Sequence, residues 1–214
     1  MQQQQQLLPE SIISRTYLYN MDLSFNDEII LENERVLLRP LALNDDEHLL
    51  SVALSDNTLL QYSPAPVYSE TLLQQYIADA LTEREKKQRY PFIIFDKSTA
   101  AHAGSTSFLN ISNKDKRLEI GGTWLGKPFQ KTGLNRNIKW LMLNYAFEQL
   151  QFERVEFKTD ERNIQSRTAI EKIGGTFEGI LRSHTVMHDG FRRNTVYYSI
   201  LRNEWENMKR SFFE

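Results

Sequence analysis

Residues 124–135 read Trp124-Leu125-Gly126-Lys127-Pro128-Phe129-Gln130-Lys131-Thr132-Gly133-Leu134-Asn135, and they join two elements of different kind. The residues before them, 118–125, are predicted to form a strand. The residues after them, 136–150, are predicted to form an amphipathic helix, because apolar side chains recur at spacings of three and four. These apolar residues are Leu134, Ile138, Leu141, Met142 and Tyr145. The chain therefore passes from a strand, through a loop with proline and glycine, into a helix.

This order of strand, loop and helix is typical of a phosphate-binding site. The first four N–H groups of a helix have no acceptor within the helix, and the aligned peptide dipoles place about +0.5 charge there. Gly133 lets the backbone turn tightly and approach a ligand closely, and Lys127, Lys131 and Arg136 add positive charge. A diphosphate is therefore a natural occupant of such a helix end. The alternative is a plain connecting loop whose glycine only makes a turn, because a single glycine motif has low specificity.

The composition argues against several classes of protein. The 214 residues fit one domain, and the absence of cysteine leaves no disulfide, no thiolate nucleophile and no cysteine metal site. The formal charge of −2 argues against general nucleic-acid binding. No apolar run approaches the ~20 residues of a membrane span, and the N-terminus lacks the pattern of a secretory signal. We therefore expect a cytoplasmic protein with neither nucleic acid nor membrane as a partner.

The first 30 residues differ from the rest of the chain. Residues 2–6 are a polar tract, and residues 7–30 show no sustained apolar period. Residues 1–30 are therefore predicted to be a loosely packed, partly disordered extension. Residues 31–214 are predicted to form a single domain, because no repeat or linker divides them.

The single domain is predicted to be of the α+β class with a mixed sheet. Strands are predicted at 34–41, ended by Pro40, and at 92–95, 104–111, 118–125, 154–159, 176–187 and 191–201. Helices are predicted at 44–54 with Asn44 as N-cap, at 69–89 with Ser69 as N-cap, at 136–150 and at 163–173, and residues 202–213 as a tail or short helix. Asp189-Gly190 is a hairpin signal between the last two strands, and Gly174-Gly175 ends the helix before them. Antiparallel strands followed by a strand–helix–strand crossover predict the mixed sheet.

Gln130-x-x-Gly133-x-Asn135 resembles the Gln/Arg-x-x-Gly-x-Gly/Ala signature of the GNAT superfamily of acyl-CoA-dependent N-acetyltransferases, and departs from it at Asn135. Over residues 33–206 the chain is similar to the ribosomal-protein N-terminal acetyltransferase branch (RimJ/RimL type). The motifs that carry this resemblance are Glu34-Arg35-Val36-Leu37-Leu38-Arg39-Pro40, Glu119-Ile120-Gly121, Asn163-Ile164-Gln165-Ser166, Glu171-Lys172-Ile173-Gly174, Glu178-Gly179-x-Leu181-Arg182, Asp189-Gly190, Tyr198-Ser199-Ile200-Leu201 and Glu204-Trp205. Their common order and spacing make the resemblance specific.

The resemblance implies the GNAT fold, a central mixed and mostly antiparallel twisted sheet flanked by helices. It also implies acetyl-CoA as cosubstrate, bound where the fourth and fifth strands part, with the pantetheine arm along residues 123–125 and the pyrophosphate in the loop. A freed N–H of this strand would stabilise the oxyanion when an amine attacks the thioester. The side chain of Asn135 is expected to point away from the phosphates or to donate its amide to one. The implied acetyl-CoA-binding residues are Thr123, Trp124, Leu125, Gln130, Lys131, Thr132, Gly133, Leu134, Asn135, Asn163 and Ser166.

Two residues are predicted to be catalytic from the same resemblance. In much of the superfamily a tyrosine seven residues after the asparagine protonates the leaving thiolate, but that position is Ile170 here. Ser166 is the implied substitute, as a hydrogen-bond partner of the sulfur, and Glu119 is the candidate base, directly or through water. The structural alternatives are an N-cap role for Asn163, a solvated helix residue for Ser166 and a surface carboxylate for Glu119.

A metal site is not expected from the sequence. His184 and His188 lie on one face of a predicted strand, but four residues of strand span roughly 13 Å, which is too far for one metal ion. The other two histidines, His48 and His102, have no partner at ligand spacing.

We therefore predict an N-acetyltransferase that passes the acetyl group directly to a primary amine, as a monomer or homodimer. The acceptor is a protein N-terminus or a small amine, and an α-amine is favoured because lysine would need a strong, buried base. An acyl-CoA-binding sensor or scaffold without turnover is an alternative, which Ile170 and Asn135 keep open. An enzyme acting on an aminoglycoside-like antibiotic is another. Residues 57–90 and the closing hairpin are expected to face the acceptor, and their sequence does not identify it.

Overall fold

One eight-stranded sheet forms the centre of the protein, in a computed structural model that describes residues 22–213 and their side chains as far as residue 211. The strand order is β1-β2-β3-β4-β5-β6-β8-β7. The strands are β1 (Leu31–Glu32), β2 (Val36–Pro40), β3 (Arg89–Asp96), β4 (Ala101–Ser112), β5 (Arg117–Leu125), β6 (Arg154–Asp160), β7 (Thr176–Val186) and β8 (Arg192–Leu201). β5 and β6 run parallel, and the other neighbours are antiparallel. The predicted mixed, mostly antiparallel sheet is confirmed.

Five α-helices flank this sheet. They are α1 (Asp46–Ala53), α2 (Glu70–Glu85), α3 (Leu134–Asn144), α4 (Ile164–Lys172) and α5 (Arg202–Met208). A 3₁₀ turn, Leu43–Asp45, precedes α1, and wider π-helical turns, Tyr145–Gln149 and Lys209–Phe213, follow α3 and α5. Because β5 and β6 are parallel, the chain must cross from one end of the sheet to the other between them, and α3 makes that crossover.

The sheet separates two apolar clusters. The larger cluster contains Leu118 and Ile120 of β5 together with Ile138 of α3, Ile170 of α4 and Trp205 of α5. The smaller cluster lies against α1 and α2 and includes Leu49, Tyr76, Ile93 and Trp124. Side chains alternate between the two faces of a strand, and the register between β4 and β5 shifts between Ser105 and Ser107. We call the side of the sheet with the larger cluster the α3 face and the side with the smaller cluster the α1/α2 face.

Two predicted helix limits differ from the structure. Asn44 is not the N-cap of α1, because it lies inside the 3₁₀ turn, and Asp45 accepts the N–H of Ala42 at 2.8 Å instead. Ser69 does cap α2, accepting the N–H of Leu72 at 3.3 Å. That helix ends at Glu85 and not at residue 89, because Arg89 already belongs to β3.

The predicted loose packing of residues 7–30 is wrong for the part that the structure describes. Leu23 and Ile29 are buried in the larger cluster. The hydroxyl of Tyr90 donates to the carbonyl of Asp27 at 2.6 Å and accepts the N–H of Ile29 at 2.9 Å. Residues 22–30 are therefore held against the sheet, while the polar tract at 2–6 and the rest of the predicted extension up to residue 21 lie outside the described residues.

Candidate functional site

The parallel strands β5 and β6 part along most of their length. They pair at only three positions, residues 117–119 with residues 154–156. Beyond Glu119, β5 continues against β4 alone, and β6 continues against β8 alone. Counted from β2, these are the fourth and fifth strands, so the sheet has a V-shaped opening where the sequence predicts it. On the open side, residues 120–125 of β5 have no strand partner.

The predicted phosphate loop lies at the wide end of this opening. It leaves β5 at Leu125, makes a 3₁₀ turn at Lys127–Phe129 and enters α3 at Leu134. Gly133 has φ of +85°, the left-handed region that favours glycine, and a Cβ added there would meet nothing within 4 Å. The space in front of Gly133 is therefore open to a ligand.

Two polar side chains hold the shape of this loop. Gln130 donates its amide to the carbonyl of Leu125 at 2.9 Å, which ties the loop to the end of β5. Thr132 donates its hydroxyl to the carbonyl of Phe129 at 2.8 Å and accepts the N–H of Leu134 at 3.4 Å. These contacts position the backbone and do not themselves point to a ligand.

Several backbone amides of the loop remain free. Within residues 22–213, no acceptor is found for the N–H groups of Lys131, Thr132, Gly133 and Asn135. Free N–H groups that converge at a helix N-terminus bind anions. The loop therefore has the donors that a phosphate requires.

Of the lysine side chains near the loop, one forms an ion pair and another is exposed to solvent. Lys127 forms an ion pair with Asp56 at 3.3 Å, while Lys131 is exposed. The Oδ1 atom of Asn135 is buried and accepts no hydrogen bond within the described part of the chain. The expected position of this side chain relative to the phosphates stays a prediction.

Thr123 of β5 is contacted by a buried lysine that sequence reasoning missed. The ammonium of Lys139 on α3 donates to Thr123 Oγ1 at 2.7 Å, and Lys139 is only 6% exposed. Burial lowers the pKa of Lys139 to about 7. The signal in the sequence was its spacing of four from Leu143, which places it beside the apolar stripe of the helix.

The two residues that follow Thr123 are buried on opposite faces of β5. Trp124 packs in the smaller cluster beside Tyr76, and its indole N–H has no acceptor among residues 22–213. Leu125 belongs to the larger cluster. Both residues lie on the strand segment that borders the opening.

Glu119 lies where β5 and β6 begin to part, on the α1/α2 face. It is 6% exposed, accepts from Asn110 Nδ2 at 2.7 Å and forms an ion pair with Lys158 Nζ at 2.8 Å. The alternative of a surface carboxylate is therefore wrong. A Cβ on Gly121 would lie 2.9 Å from Glu119 Oε1 and 2.8 Å from Leu109 Cδ1, so a side chain there would displace the ends of these two side chains.

Lys158, the ion-pair partner of Glu119, is protonated. Burial acts to lower the pKa of Lys158, but attraction and hydrogen bonding to the Glu119 carboxylate outweigh burial, so the pKa is raised. Glu119 is thus an ion-paired carboxylate. Its role as a base stays a prediction.

Asn163 is the N-cap of α4, as one of its interpretations expects. Its Oδ1 accepts the N–H of Ser166 at 3.0 Å. The amide nitrogen of Asn163 and the hydroxyl of Ser166 have no partner within the part of the chain that the structure describes. Ile170 is buried in the larger cluster, so α4 and α3 lie on the same face of the sheet and Glu119 on the other.

The loop and the hairpin that are expected to face the acceptor do meet. Arg193 of β8 donates to the carbonyl of Tyr62 at 2.9 Å. The guanidinium of Arg162 stacks over the ring of Phe191 at 4.0 Å. Burial lowers the pKa of Arg193, although the charges of Asp160 and Glu119 oppose this. The region expected to face the acceptor is therefore bordered by cationic as well as anionic groups.

A second polar group under β5 was also missed. Arg89 donates from Nε to Ser107 Oγ at 2.8 Å and from Nη2 to the hydroxyl of Tyr76 at 2.6 Å. A Cβ on Gly122 would lie 3.4 Å from Arg89 Nη2. This buried arginine lines the α1/α2 face next to the register shift of β5.

The described residues contain no group of three or more His, Cys, Asp and Glu side chains that could hold a metal ion. Within the same range, no helix is long and apolar enough to cross a membrane.

Known proteins share both the sequence pattern and the fold. The family model for an acetyltransferase (GNAT) domain matches residues 35–176. The Bacillus subtilis protein named "Putative ribosomal N-acetyltransferase YdaF" is 27% identical over 192 residues, which are 83% of this chain and 97% of that protein. A GCN5-related N-acetyltransferase from Brucella melitensis has the same fold, with a TM-score of 0.80 at 23% identity over 88% of this chain and 86% of that one.

A further neighbour has a described substrate. The Salmonella typhimurium acetyl transferase that modifies the N-terminal serine of ribosomal protein L7/L12 superposes with a TM-score of 0.70 at 18% identity. The superposition covers 81% of this chain and 99% of that one. At this identity the likeness shows the fold alone.

Proposed function

The chain belongs to the GNAT acetyltransferase family, and we propose that it transfers the acetyl group of acetyl-CoA directly to an α-amine at a protein N-terminus. The observation that carries this proposal is the opening between β5 and β6, which leads to a loop with four free amides and Gly133 at its exposed turn. An extended, amide-bearing arm ending in a diphosphate matches this arrangement in shape and in chemistry.

In this proposal each part of acetyl-CoA has its own contacts. The loop amides and the N-terminus of α3 bind the pyrophosphate, and residues 123–125 pair with the pantetheine amides as an added strand would. The free amide nitrogen of Asn163 reaches the pantetheine from the other side while its oxygen caps α4. An N–H of β5 stabilises the oxyanion of the attacked thioester, and Ser166 donates a hydrogen bond to the sulfur.

The acceptor amine approaches Glu119 from the α1/α2 face. An α-amine titrates near ~7.7 and a lysine near ~10.4. Near pH ~7.5 a neutral lysine amine therefore costs roughly 4 kcal/mol to form, against a few tenths for an α-amine. Because Glu119 is already paired with Lys158, it is poorly suited to deprotonate a lysine. The site favours an acceptor that is largely neutral on arrival, and the name of the B. subtilis relative, a ribosomal N-acetyltransferase, is compatible with a protein acceptor.

A sensor or scaffold that binds acyl-CoA without turnover is the second candidate. It is favoured by the ion pair of Glu119 and by the buried Ile170 at the position of the superfamily's tyrosine. Cytoplasmic location and a monomeric or homodimeric state are part of the main proposal and rest only on expectations from the sequence.

The experiment measures CoA release and maps the acetyl group by mass spectrometry. Two peptides are offered with acetyl-CoA, each with one lysine, one with a free and one with a blocked N-terminus, beside an aminoglycoside. We expect acetylation of the free α-amine and no reaction of the blocked peptide. Similar acetylation of lysine in both peptides, or faster reaction of the aminoglycoside, would reject the acceptor. Binding of acetyl-CoA without CoA release from any amine would support the sensor.

A further inference from the structure

Lys139 is a buried cation next to the proposed acetyl-CoA site. Its Nζ donates to Thr123 Oγ1 at 2.7 Å. With Thr106 donating to Met142 Sδ at 3.5 Å, the hydroxyl of Thr123 donates to Thr106 Oγ1 at 2.7 Å. The hydrogen bonds thus run from Lys139 through Thr123 and Thr106 to Met142. Lys139 uses one of the three protons that an ammonium can donate.

No carboxylate balances this cation in residues 22–213. Thr123 faces it from β5, and the ring of Phe157 faces it from β6 at 5.9 Å. Lys158, the next residue of β6, points to the opposite face and pairs with Glu119 there. On α3 itself, the charged residue within one turn is Arg136, which is exposed. Burying a charge without a partner lowers the stability of the folded protein. The presence of Lys139 at this position therefore calls for a functional explanation.

The position of Lys139 suggests that explanation. Thr123 lies on the segment of β5 that has no strand partner on the open side. Leu125 and Gln130 connect this segment to the phosphate loop, so the arm that enters from the loop must pass Thr123 on its way to the acceptor side. An anion that forms there would meet an ammonium with two unused protons.

We propose that Lys139 is the group that protonates the CoA sulfur when the thioester is cleaved. This inference rests on the proposed use of acetyl-CoA. The amine nitrogen forms a bond to the carbonyl carbon, the C–S bond breaks, and its electron pair stays on sulfur. Lys139 gives one Nζ proton to that sulfur, and the acceptor nitrogen loses one proton to water near Glu119. Lys139 regains its proton from solvent after CoA leaves.

The acid strength of Lys139 suits this transfer. Burial lowers its pKa to about 7, below the ~8.5 of an ordinary thiol, so transfer from the ammonium to the thiolate is favourable. Ser166 has no comparable acidity and serves as a hydrogen-bond partner. The buried Ile170 cannot donate a proton.

The test uses Lys139→Met, with Lys172→Met as the control, because Lys172 is an exposed lysine on α4. Affinity for CoA is first measured by calorimetry. The thiol of bound CoA is then titrated through the ultraviolet absorbance of its thiolate. No protein thiol contributes to this signal, because the chain has no cysteine. Because the lysine is the stronger acid, it loses its proton before the thiol does, so we expect similar midpoints in the wild type, Lys172→Met and Lys139→Met. Turnover of Lys139→Met should fall about 100-fold.

Lys139→Arg separates charge from proton transfer. Arginine stays protonated, so in this variant the bound thiol should titrate about one to three pH units lower than in Lys139→Met, while turnover is still lost. Equal midpoints in Lys139→Arg and Lys139→Met, a wild-type midpoint as low as that of Lys139→Arg, or full turnover in Lys139→Arg would overturn the proposal. Failure of the wild type to bind CoA at all would instead refute the proposed function.

Discussion

Lys139 links the chemistry of the site to the stability of the protein. Its pKa is 10.5 in an exposed setting and about 7 in the fold. Below pH ~7 both the folded and the unfolded chain hold the proton, and the full burial penalty is present. Between pH ~7 and ~10.5 the unfolded chain holds the proton and the folded chain releases it, so this residue makes the free energy of unfolding rise with pH.

Lys139→Met should therefore be more stable than the wild type near pH 7. We expect a gain of about 1–4 kcal/mol, the range seen when buried charges are replaced by apolar residues, and this gain should shrink as pH rises. Urea unfolding between pH ~6.5 and ~9.5 measures it. Lys172→Met should show no such trend, and a gain that is constant with pH would show that Lys139 is not buried as a cation.

Gly133 and Gly190 form a matched pair for testing the loop. Both have positive φ, +85° and +83°, and an added Cβ meets nothing within 4 Å at either position. Alanine at each should destabilise the protein by a similar ~1–2 kcal/mol, the cost of the left-handed conformation. Only Gly133→Ala should weaken acetyl-CoA binding, by about tenfold or more, because its Cβ stands before the free amides. Equal calorimetric affinities in the two variants would count against the loop as the phosphate site.

The sequence predicted individual residues well where their role is local. Ser69 and the hairpin glycine follow from short-range rules of capping and turns. Lys139, Arg89 and Lys158 were missed, because a lysine or arginine is normally exposed, and only the packing of distant elements buries Lys139 and Arg89 and partly buries Lys158. Glu119 was placed on the correct strand, but its ion pair joins two strands and is invisible in the sequence.

α4 offers a test in which stability and binding separate. Asn163 caps this helix through Oδ1 and keeps its amide nitrogen free. Asn163→Ala should lose about 1 kcal/mol of stability and weaken acetyl-CoA binding. Asn163→Asp retains an acceptor for the Ser166 N–H, so it should keep the stability and still lose affinity. Normal affinity in a stable Asn163→Asp would leave Asn163 as a cap alone.

The limits of the elements were harder to predict than their kinds. The strand predicted at 92–95 begins at Arg89, because Arg89 and Tyr90 bury their polar groups against partners far along the chain. The helix predicted as far as residue 150 ends at Asn144 and continues as the π-helical turn Tyr145–Gln149. Apolar spacing does not distinguish a wider turn from the end of a regular helix.

For the molecule as a whole, the crossover was predicted from the amphipathic helix between two strands, and the resemblance implied the parallel pair that parts. The packing of residues 22–30 was not, since Leu23 and Ile29 are too far apart to form a period. The two faces of the sheet then assign separate roles. The α3 face holds Lys139 and α4, and the α1/α2 face holds Glu119, so in the proposed reaction cosubstrate and acceptor reach the opening from different sides.

Amide hydrogen exchange along β5 tests the central claim, that acetyl-CoA binds in the opening between β5 and β6. The exchange of residues 120–125 is compared with that of residues 117–119, which already pair with β6. On saturation with acetyl-CoA, we expect the amides of 120–125 that face the opening to exchange more slowly and those of 117–119 to change little. Unchanged exchange at 120–125, at concentrations where calorimetry shows acetyl-CoA bound, would contradict the claim.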